Sequence, residues 1–207
     1  MLRTTFYWAF VLATSTLSAT RASAATIAEY TGGTLSLGTV FGGQAITTPS
    51  GGPWDDISFN FYSDVPATTP SAAGTLFLLS NSYTGLPSGL STSTSGFIAA
   101  SVNIVGGVYV FDPGVTLQPN TEYFLYPNAQ VPESGVSTGG TPGSFATYAR
   151  NASTNYVNIT GATENFRLSG AVASVPEPGT TYMPLAAAGL LFCMYRFPKA
   201  RKPSDEV

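Results

Sequence analysis

The chain has 207 residues, of which 43% are hydrophobic and only 9% are charged. Soluble domains carry roughly 25% charged residues, so this composition argues against a nucleic-acid binder, whose Lys and Arg side chains must neutralise phosphates. One Cys excludes an internal disulfide framework and a Cys-rich zinc site. The absence of His removes the commonest general base and metal ligand. We therefore predict no catalytic residues, no cofactor and no metal site.

The N-terminus has the pattern of a secretory signal peptide, predicted over residues 1–25. Arg3 supplies the positive start, and an apolar stretch follows at residues 6–13. Ala22 and Ala24 then give the small-x-small pattern that signal peptidase recognises, which places the cut after Ala24 or Ala25. The alternatives are a short membrane anchor and a buried apolar helix, but the apolar stretch is too short to span a bilayer.

The C-terminus, residues 175–207, contains three blocks in sequence. A Val-Pro-Glu-Pro motif is followed by an apolar run, predicted as a transmembrane helix over 180–197, and then by a basic cluster. The motif consists of Val175, Pro176, Glu177 and Pro178, and the basic cluster consists of Arg196, Lys199, Arg201 and Lys202. The apolar run itself, from about Thr180 to Tyr195, has sixteen residues. As a helix these span about 24 Å of a hydrocarbon core about 30 Å thick, so flanking and snorkelling side chains complete the crossing. The basic cluster indicates a cytoplasmic end.

These three blocks resemble the PEP-CTERM sorting signal of Gram-negative bacteria. The resemblance rests on Pro176, Glu177 and Pro178, the helix from about Thr180, and the terminal Arg and Lys residues. It implies that an exosortase processes the chain near the motif. It also implies that the protein belongs to the cell surface or to the exopolysaccharide and biofilm matrix. Pro184 within the apolar run and the acidic end at Asp205 and Glu206 depart from the pattern. An uncleaved C-terminal anchor is the alternative.

The middle of the chain, residues 26–174, is predicted to be one domain of low charge. Its size suffices for one hydrophobic core. It contains eight carboxylates but only two cations, Arg150 and Arg167, and hence a net charge of −6. Ser and Thr supply most of its polar surface, and Thr fits a pleated strand. This charge keeps the domain soluble and disfavours binding to anionic polymers.

Alternating and continuous apolar patterns predict an all-β fold. Pro- and Gly-rich turns separate the short runs, which indicates a single antiparallel β-sandwich that is jelly-roll-like. Gly106-Gly107 predicts a hairpin turn, and 135–144 is predicted to be a mobile loop. In the run 97–104, Ile98, Ala100, Val102 and Ile104 are expected to share one face. The predicted strands are 57–62, 74–79, 97–104, 108–111, 121–126 and 165–172.

Three landmarks follow one another in the domain: Trp54 with the strand at 57–61, the turn and strand at 117–125, and the closing 166–170. This order resembles the choice-of-anchor group of bacterial surface domains, which share a β core while their anchors vary. It implies neither an enzymatic activity nor an established ligand.

The candidate glycan contact consists of Trp54, Asp55 and Asp56. The aromatic face can stack on a sugar, and the carboxylates can hydrogen-bond to it. The alternative is that Trp54 fills one end of the core while the two carboxylates face water. A carboxylate pair for glycoside hydrolysis is formally open, yet nothing in the sequence marks two acids as facing each other. Serine triads and Ser-Lys pairs are excluded, since the domain lacks His and Lys.

Taken together, the patterns predict an exported, non-enzymatic surface or matrix protein. Its expected partners are signal peptidase, an exosortase-type enzyme, the inner membrane during transit and exopolysaccharide, but not nucleic acid. Two alternatives stay open: a carbohydrate-binding module that contacts exopolysaccharide, and a self-associating matrix subunit, since low charge reduces repulsion between copies.

Overall fold

The computed structural model describes residues 23–138 and 145–173. Within these ranges the chain forms strands, turns and one 3-10 helix, Pro87–Gly89, and no helix has the length and hydropathy needed to cross a membrane. The strands are β1 (Ala25–Tyr30), β2 (Leu35–Thr47), β3 (Trp54–Tyr62), β4 (Pro70–Ser71), β5 (Leu76–Leu79), β6 (Phe97–Ala100), β7 (Asn103–Val105), β8 (Val108–Val110), β9 (Glu122–Pro127), β10 (Val131–Thr138), β11 (Phe145–Ala149), β12 (Val157–Thr160), β13 (Ala162–Glu164) and β14 (Phe166–Val172).

The strands form two antiparallel sheets, which confirms the predicted all-β antiparallel class. One sheet has the order β1-β14-β3-β8-β7, with β4 added to β3. The other has the order β12-β11-β2-β9-β5-β6, and β10 joins it by pairing with the first half of β2 and with β13. The first and last strands are neighbours, because β1 pairs with β14 from Ala25↔Gly170 to Tyr30↔Phe166.

A hydrophobic core lies between the sheets. The smaller sheet contributes Phe59, Phe61 and Phe166, and the rings of Phe59 and Phe166 stack with centroids 5.8 Å apart. The larger sheet contributes alternate residues, such as Leu76 and Leu78 of β5. Burying apolar surface at about 25 cal/mol per Å² is the main favourable term that holds the two sheets together.

The central strands of the larger sheet are buried on their other face as well. Phe77 and Leu79 of β5 point into a second apolar cluster, which includes Tyr126 and Tyr156 with their ring centroids 5.0 Å apart. Leu90, from the long segment between β5 and β6, packs against this cluster. The strand predicted at 74–79 is therefore confirmed from Leu76 onward, and its continuous apolar pattern follows from burial on both faces, since every residue of β5 is buried.

The structure corrects the predicted single strand 97–104. It divides into β6 in the larger sheet and β7 in the smaller sheet. Ser101 N–H still donates to Leu76 O of β5, whereas Val102 N–H donates to Val110 O of β8, so the chain changes sheets within one residue. The shared face expected for this run is therefore wrong, because Ala100 packs against the second apolar cluster whereas Ile104 packs against the core between the sheets.

Two turn predictions have different outcomes. Gly106 and Gly107 connect β7 to β8 with φ of 58° and 80°, which confirms the hairpin and explains the need for glycine. The predicted loop 135–144 is wrong at its start, because β10 continues as a strand to Thr138. The remaining part, 139–144, lies outside the described residues.

Candidate functional site

Two glutamates of the larger sheet are buried in the interior of the protein. Glu133 on β10 is 1% exposed, and Glu164 at the end of β13 is 2% exposed. Antiparallel pairing brings them together, because Glu164 is opposite Gly135, two residues beyond Glu133. Carboxylates are rarely fully buried unless they are paired. This carboxyl pair is therefore the most unusual chemical feature of the described residues.

Gly42 of β2 provides the space for the carboxyl pair. A Cβ added to Gly42 would lie 2.6 Å from Glu133 Cδ and 2.6 Å from Glu164 Oε1, well inside ordinary contact distances. Both carboxyl groups therefore meet over the backbone of one residue. The missing side chain turns this position of β2 into a cradle for the pair.

Most oxygens of the pair have no hydrogen-bond partner. Glu133 Oε1, Glu133 Oε2 and Glu164 Oε2 are buried and accept no hydrogen bond within the described residues. The neighbouring Gln44 is already engaged, since its Oε1 accepts the backbone N–H of Glu164 at 3.0 Å and its Nε2 donates to Ala45 O at 2.9 Å. Gln44 therefore holds β13 against β2 but leaves the carboxyl oxygens unsatisfied.

The polar residues directly after Glu133 and Glu164 in the chain are hydrogen-bonded, in contrast to the pair itself. Asn165 accepts the Gly33 N–H through Oδ1 at 2.9 Å and donates through Nδ2 to Gly33 O at 3.1 Å. Ser134 Oγ donates toward Tyr62 O and Asp64 O, 3.0 and 2.6 Å away. Because most buried polar groups in proteins are satisfied, the orphan oxygens of the pair call for a specific explanation.

Burial raises the pKa of both carboxyl groups above the ordinary glutamate value. For Glu133, loss of hydration is the largest cause, and the adjacent Glu164 raises its pKa further. The nearby Gly42 N–H opposes this increase without forming a hydrogen bond to the carboxyl oxygens. For Glu164 desolvation again dominates, while its contact with Glu133 lowers its pKa. Both carboxyl groups are therefore harder to ionise than an exposed glutamate.

The two arginines of the domain lie elsewhere. Arg167 pairs with Glu29 on the outer face of the smaller sheet, where Nη2 and Nε are 2.6 and 2.8 Å from Glu29 Oε1. Tyr62 OH donates to the same oxygen at 3.0 Å, and burial raises the pKa of Tyr62. Arg150 is exposed just beyond β11. No cation is among the groups that shift the pKa of Glu133 or Glu164.

The predicted glycan contact lies in a different part of the fold. Trp54 begins β3 and is only 5% exposed, within the core between the sheets. Asp55 and Asp56 are half-buried, and Asp56 has a φ of 50°. The glycan contact stays a prediction, but Trp54 presents almost no ring surface on which a sugar could stack.

The other predicted site residues lie mainly outside the described ranges. Ala22, Val175 to Pro178, the helix 180–197 and the basic cluster are all outside them. Ala24 is described and exposed, immediately before β1. The processing predictions therefore stay predictions.

The carboxyl pair could not be recognised from the sequence. Glu133 and Glu164 are 31 positions apart, and the sequence contains eight acids between residues 26 and 174. Their proximity depends on the pairing of β10 with β13 and on the cradle at Gly42, neither of which has a local signature. Chemically, the pair offers oxygen ligands in a low-dielectric environment but no exposed surface for a substrate.

Comparison of the chain with protein-family models, curated proteins and solved structures finds no match in any of the three.

Proposed function

We propose that the chain is an exported, non-enzymatic surface or matrix protein of a Gram-negative bacterium. Signal peptidase cuts it after Ala24 or Ala25, and an exosortase-type enzyme processes it near Val175–Pro178. The observation that carries this proposal is the position of the strands, which run from Ala25 to Val172. Every described strand therefore falls between the two predicted processing sites, apart from Ala25 itself.

The pairing of the first and last strands supports the same proposal. Thr26 to Tyr30 pair with β14 independently of anything before Ala25, and Val172 pairs with Trp54. A cut at either predicted site removes no residue of the core between the sheets. Cutting at both sites therefore leaves the core contacts of the described strands in place. The jelly-roll-like arrangement of the strands belongs to this proposal as well.

The burial of the carboxyl pair supports a non-enzymatic role. Glycosidases need two carboxyl groups on either side of a bound substrate. Glu133 and Glu164 instead meet over Gly42 with 1% and 2% of their surface exposed. A sugar ring cannot enter between two side chains that are packed in this way.

Expression of the full chain in its native cells tests the export proposal. Fractionation and intact-mass measurement should find a mature protein outside the inner membrane that lacks both ends. Replacing Pro176, Glu177 and Pro178 by Ala together should retain the C-terminal end and change the destination, whereas Pro203→Ala should not. The proposal would be refuted if the triple variant lost its C-terminal end and reached the same location as the wild type does.

Self-association is the second candidate function, and the edge strand β12 favours it. β12 pairs only with β11 among the described strands, and all four of its residues are exposed. Val157 and Ile159 are 62% and 41% exposed, and the strand carries no charge. Exposed edges of this kind pair readily with other strands, and natural proteins usually block them with Lys or Pro.

Sedimentation of the purified chain over a concentration series tests this second candidate. Ile159→Lys should reduce association, because it places a charge on the edge, whereas Val65→Lys, on an exposed loop, should not. Equal sedimentation of both variants and the wild type would exclude an interface at β12. The carbohydrate-binding alternative has less support, since the exposed large apolar side chains of the described residues are all aliphatic.

A further inference from the structure

We propose that Glu133 and Glu164 bind one divalent metal cation, with Ca²⁺ as the favoured ion, in the cradle at Gly42. The observation is a convergence of two buried carboxyl groups whose oxygens lack partners, over a backbone position that has no side chain. The inference concerns the folded domain alone and does not depend on export.

A shared proton accounts for only part of this arrangement. One proton between two carboxyl groups engages one donor oxygen and one acceptor oxygen, and leaves the other two unsatisfied. Three oxygens of the pair accept no hydrogen bond within the described residues. An unsatisfied buried acceptor costs about 1–3 kcal/mol, and more when it is charged. A cation contacts oxygens of both groups at once and removes this deficit.

The charge of the pair leads to the same conclusion. When both carboxyl groups are ionised, the pair carries a charge of −2 in the core, and burying an uncompensated charge is strongly unfavourable. The domain's two arginines do not compensate for it, since Arg167 binds Glu29 and Arg150 lies exposed beyond β11. A divalent cation neutralises both carboxylates together and so removes the charge from the core.

The chemistry of the donors favours Ca²⁺ over softer metals and over Mg²⁺. The cradle contains carboxylate oxygens, and the described residues bring no third His, Cys, Asp or Glu to it. Ca²⁺ accepts bidentate carboxylates together with backbone or water oxygens in flexible geometry. Mg²⁺ requires near-ideal octahedral geometry and gives up its waters reluctantly.

Equilibrium dialysis and thermal unfolding of the full chain test this proposal. After removal of metals by a chelator, the purified chain should bind one Ca²⁺, and its Tm should rise with Ca²⁺ concentration because the ion binds only the folded state. Mg²⁺ at the same concentration should raise the Tm less. Both Glu133→Gln and Glu164→Gln should lose the bound ion and the increase in Tm.

Glu122→Gln is the matched control, because Glu122 is an exposed glutamate at the start of β9. It should retain the wild-type stoichiometry and the increase in Tm. Circular dichroism of each variant in chelator shows whether the fold survives the substitution. The proposal is overturned if the metal-free wild type binds no Ca²⁺, a result that requires no variant. It is also overturned if either folded Gln variant at the pair binds Ca²⁺ as the wild type does.

Discussion

Gly42→Ala should destabilise the protein because the cradle has no space for a methyl group. The new Cβ would lie 2.6 Å from Glu133 Cδ and 2.6 Å from Glu164 Oε1, about 1 Å closer than an ordinary contact. Gly42 cannot withdraw, because β2 is paired with β11 at Tyr148↔Gly42. Overpacking of a close-packed core costs about 1–3 kcal/mol, and displacement of two groups at once places Gly42→Ala near the upper end.

Alanine also reduces the conformational entropy of the unfolded chain, and this effect offsets up to about 1 kcal/mol of the loss. The expected net loss in the free energy of unfolding is therefore about 2 kcal/mol, measured by urea denaturation with fluorescence detection. Gly51→Ala is the control, since its Cβ would meet only Trp54 Cζ2, at an ordinary 3.8 Å. That variant should be as stable as the wild type or slightly more stable.

A double-mutant cycle separates the steric effect from any other role of Gly42. In a Glu133→Ala background one of the two carboxyl groups that the methyl group would meet is absent, so Gly42→Ala should cost less than it does in the wild type. If Gly42→Ala is no less stable than Gly51→Ala, the packing of two carboxyl groups against this residue is refuted. An equal cost in both backgrounds would show that the loss has another origin.

Three further predictions use the same denaturation assay. Phe59→Ala should lower the free energy of unfolding by about 3–5 kcal/mol, because the ring is 0% exposed and its removal leaves a cavity between the sheets. A loss smaller than that of an exposed-site variant would contradict the burial of Phe59 in this core. Tyr109→Phe should cost about 1 kcal/mol, since Tyr109 OH donates to Ala73 O at 2.7 Å and accepts the Ala73 N–H at 2.9 Å; wild-type stability would show that these bonds contribute nothing. In the presence of a chelator, the free energy of unfolding should fall as the pH rises from about 5 toward 8. Burial raises the pKa of Glu133 and Glu164, so over this range the unfolded chain releases protons that the folded chain retains. Glu164→Gln should weaken this dependence, and an unchanged slope would mean that the pair does not titrate in this range.

The strands that can be predicted from the sequence are those with strong apolar patterns. β3 alternates Ile57, Phe59 and Phe61 toward the core, as expected from a period of two. β5 is continuously apolar because both faces of its sheet are covered. In such strands the pattern follows directly from burial, so local reasoning is sufficient.

The strands that the sequence does not predict depend on partners distant in the chain. β2 contains Gly38, Gly42 and Gly43, which normally weaken a strand. It is nevertheless 13 residues long, because neighbouring side chains occupy the space that Gly42 and Gly43 leave: a Cβ at Gly43 would lie 2.8 Å from Tyr126 Cδ1. The change of sheet at Ser101 is hidden for a similar reason, since nothing local specifies which sheet will receive β7.

The position of β14 determines how the domain would bear load if its C-terminal end were tethered. Tension applied at Val172 would act along β14, which lies between β1 and β3 and pairs with both. Hydrogen bonds between antiparallel strands run perpendicular to the strands, so the pull would shear two ladders simultaneously instead of opening one bond at a time. A domain anchored through such a central strand should therefore resist unfolding under tension better than one anchored through an edge strand.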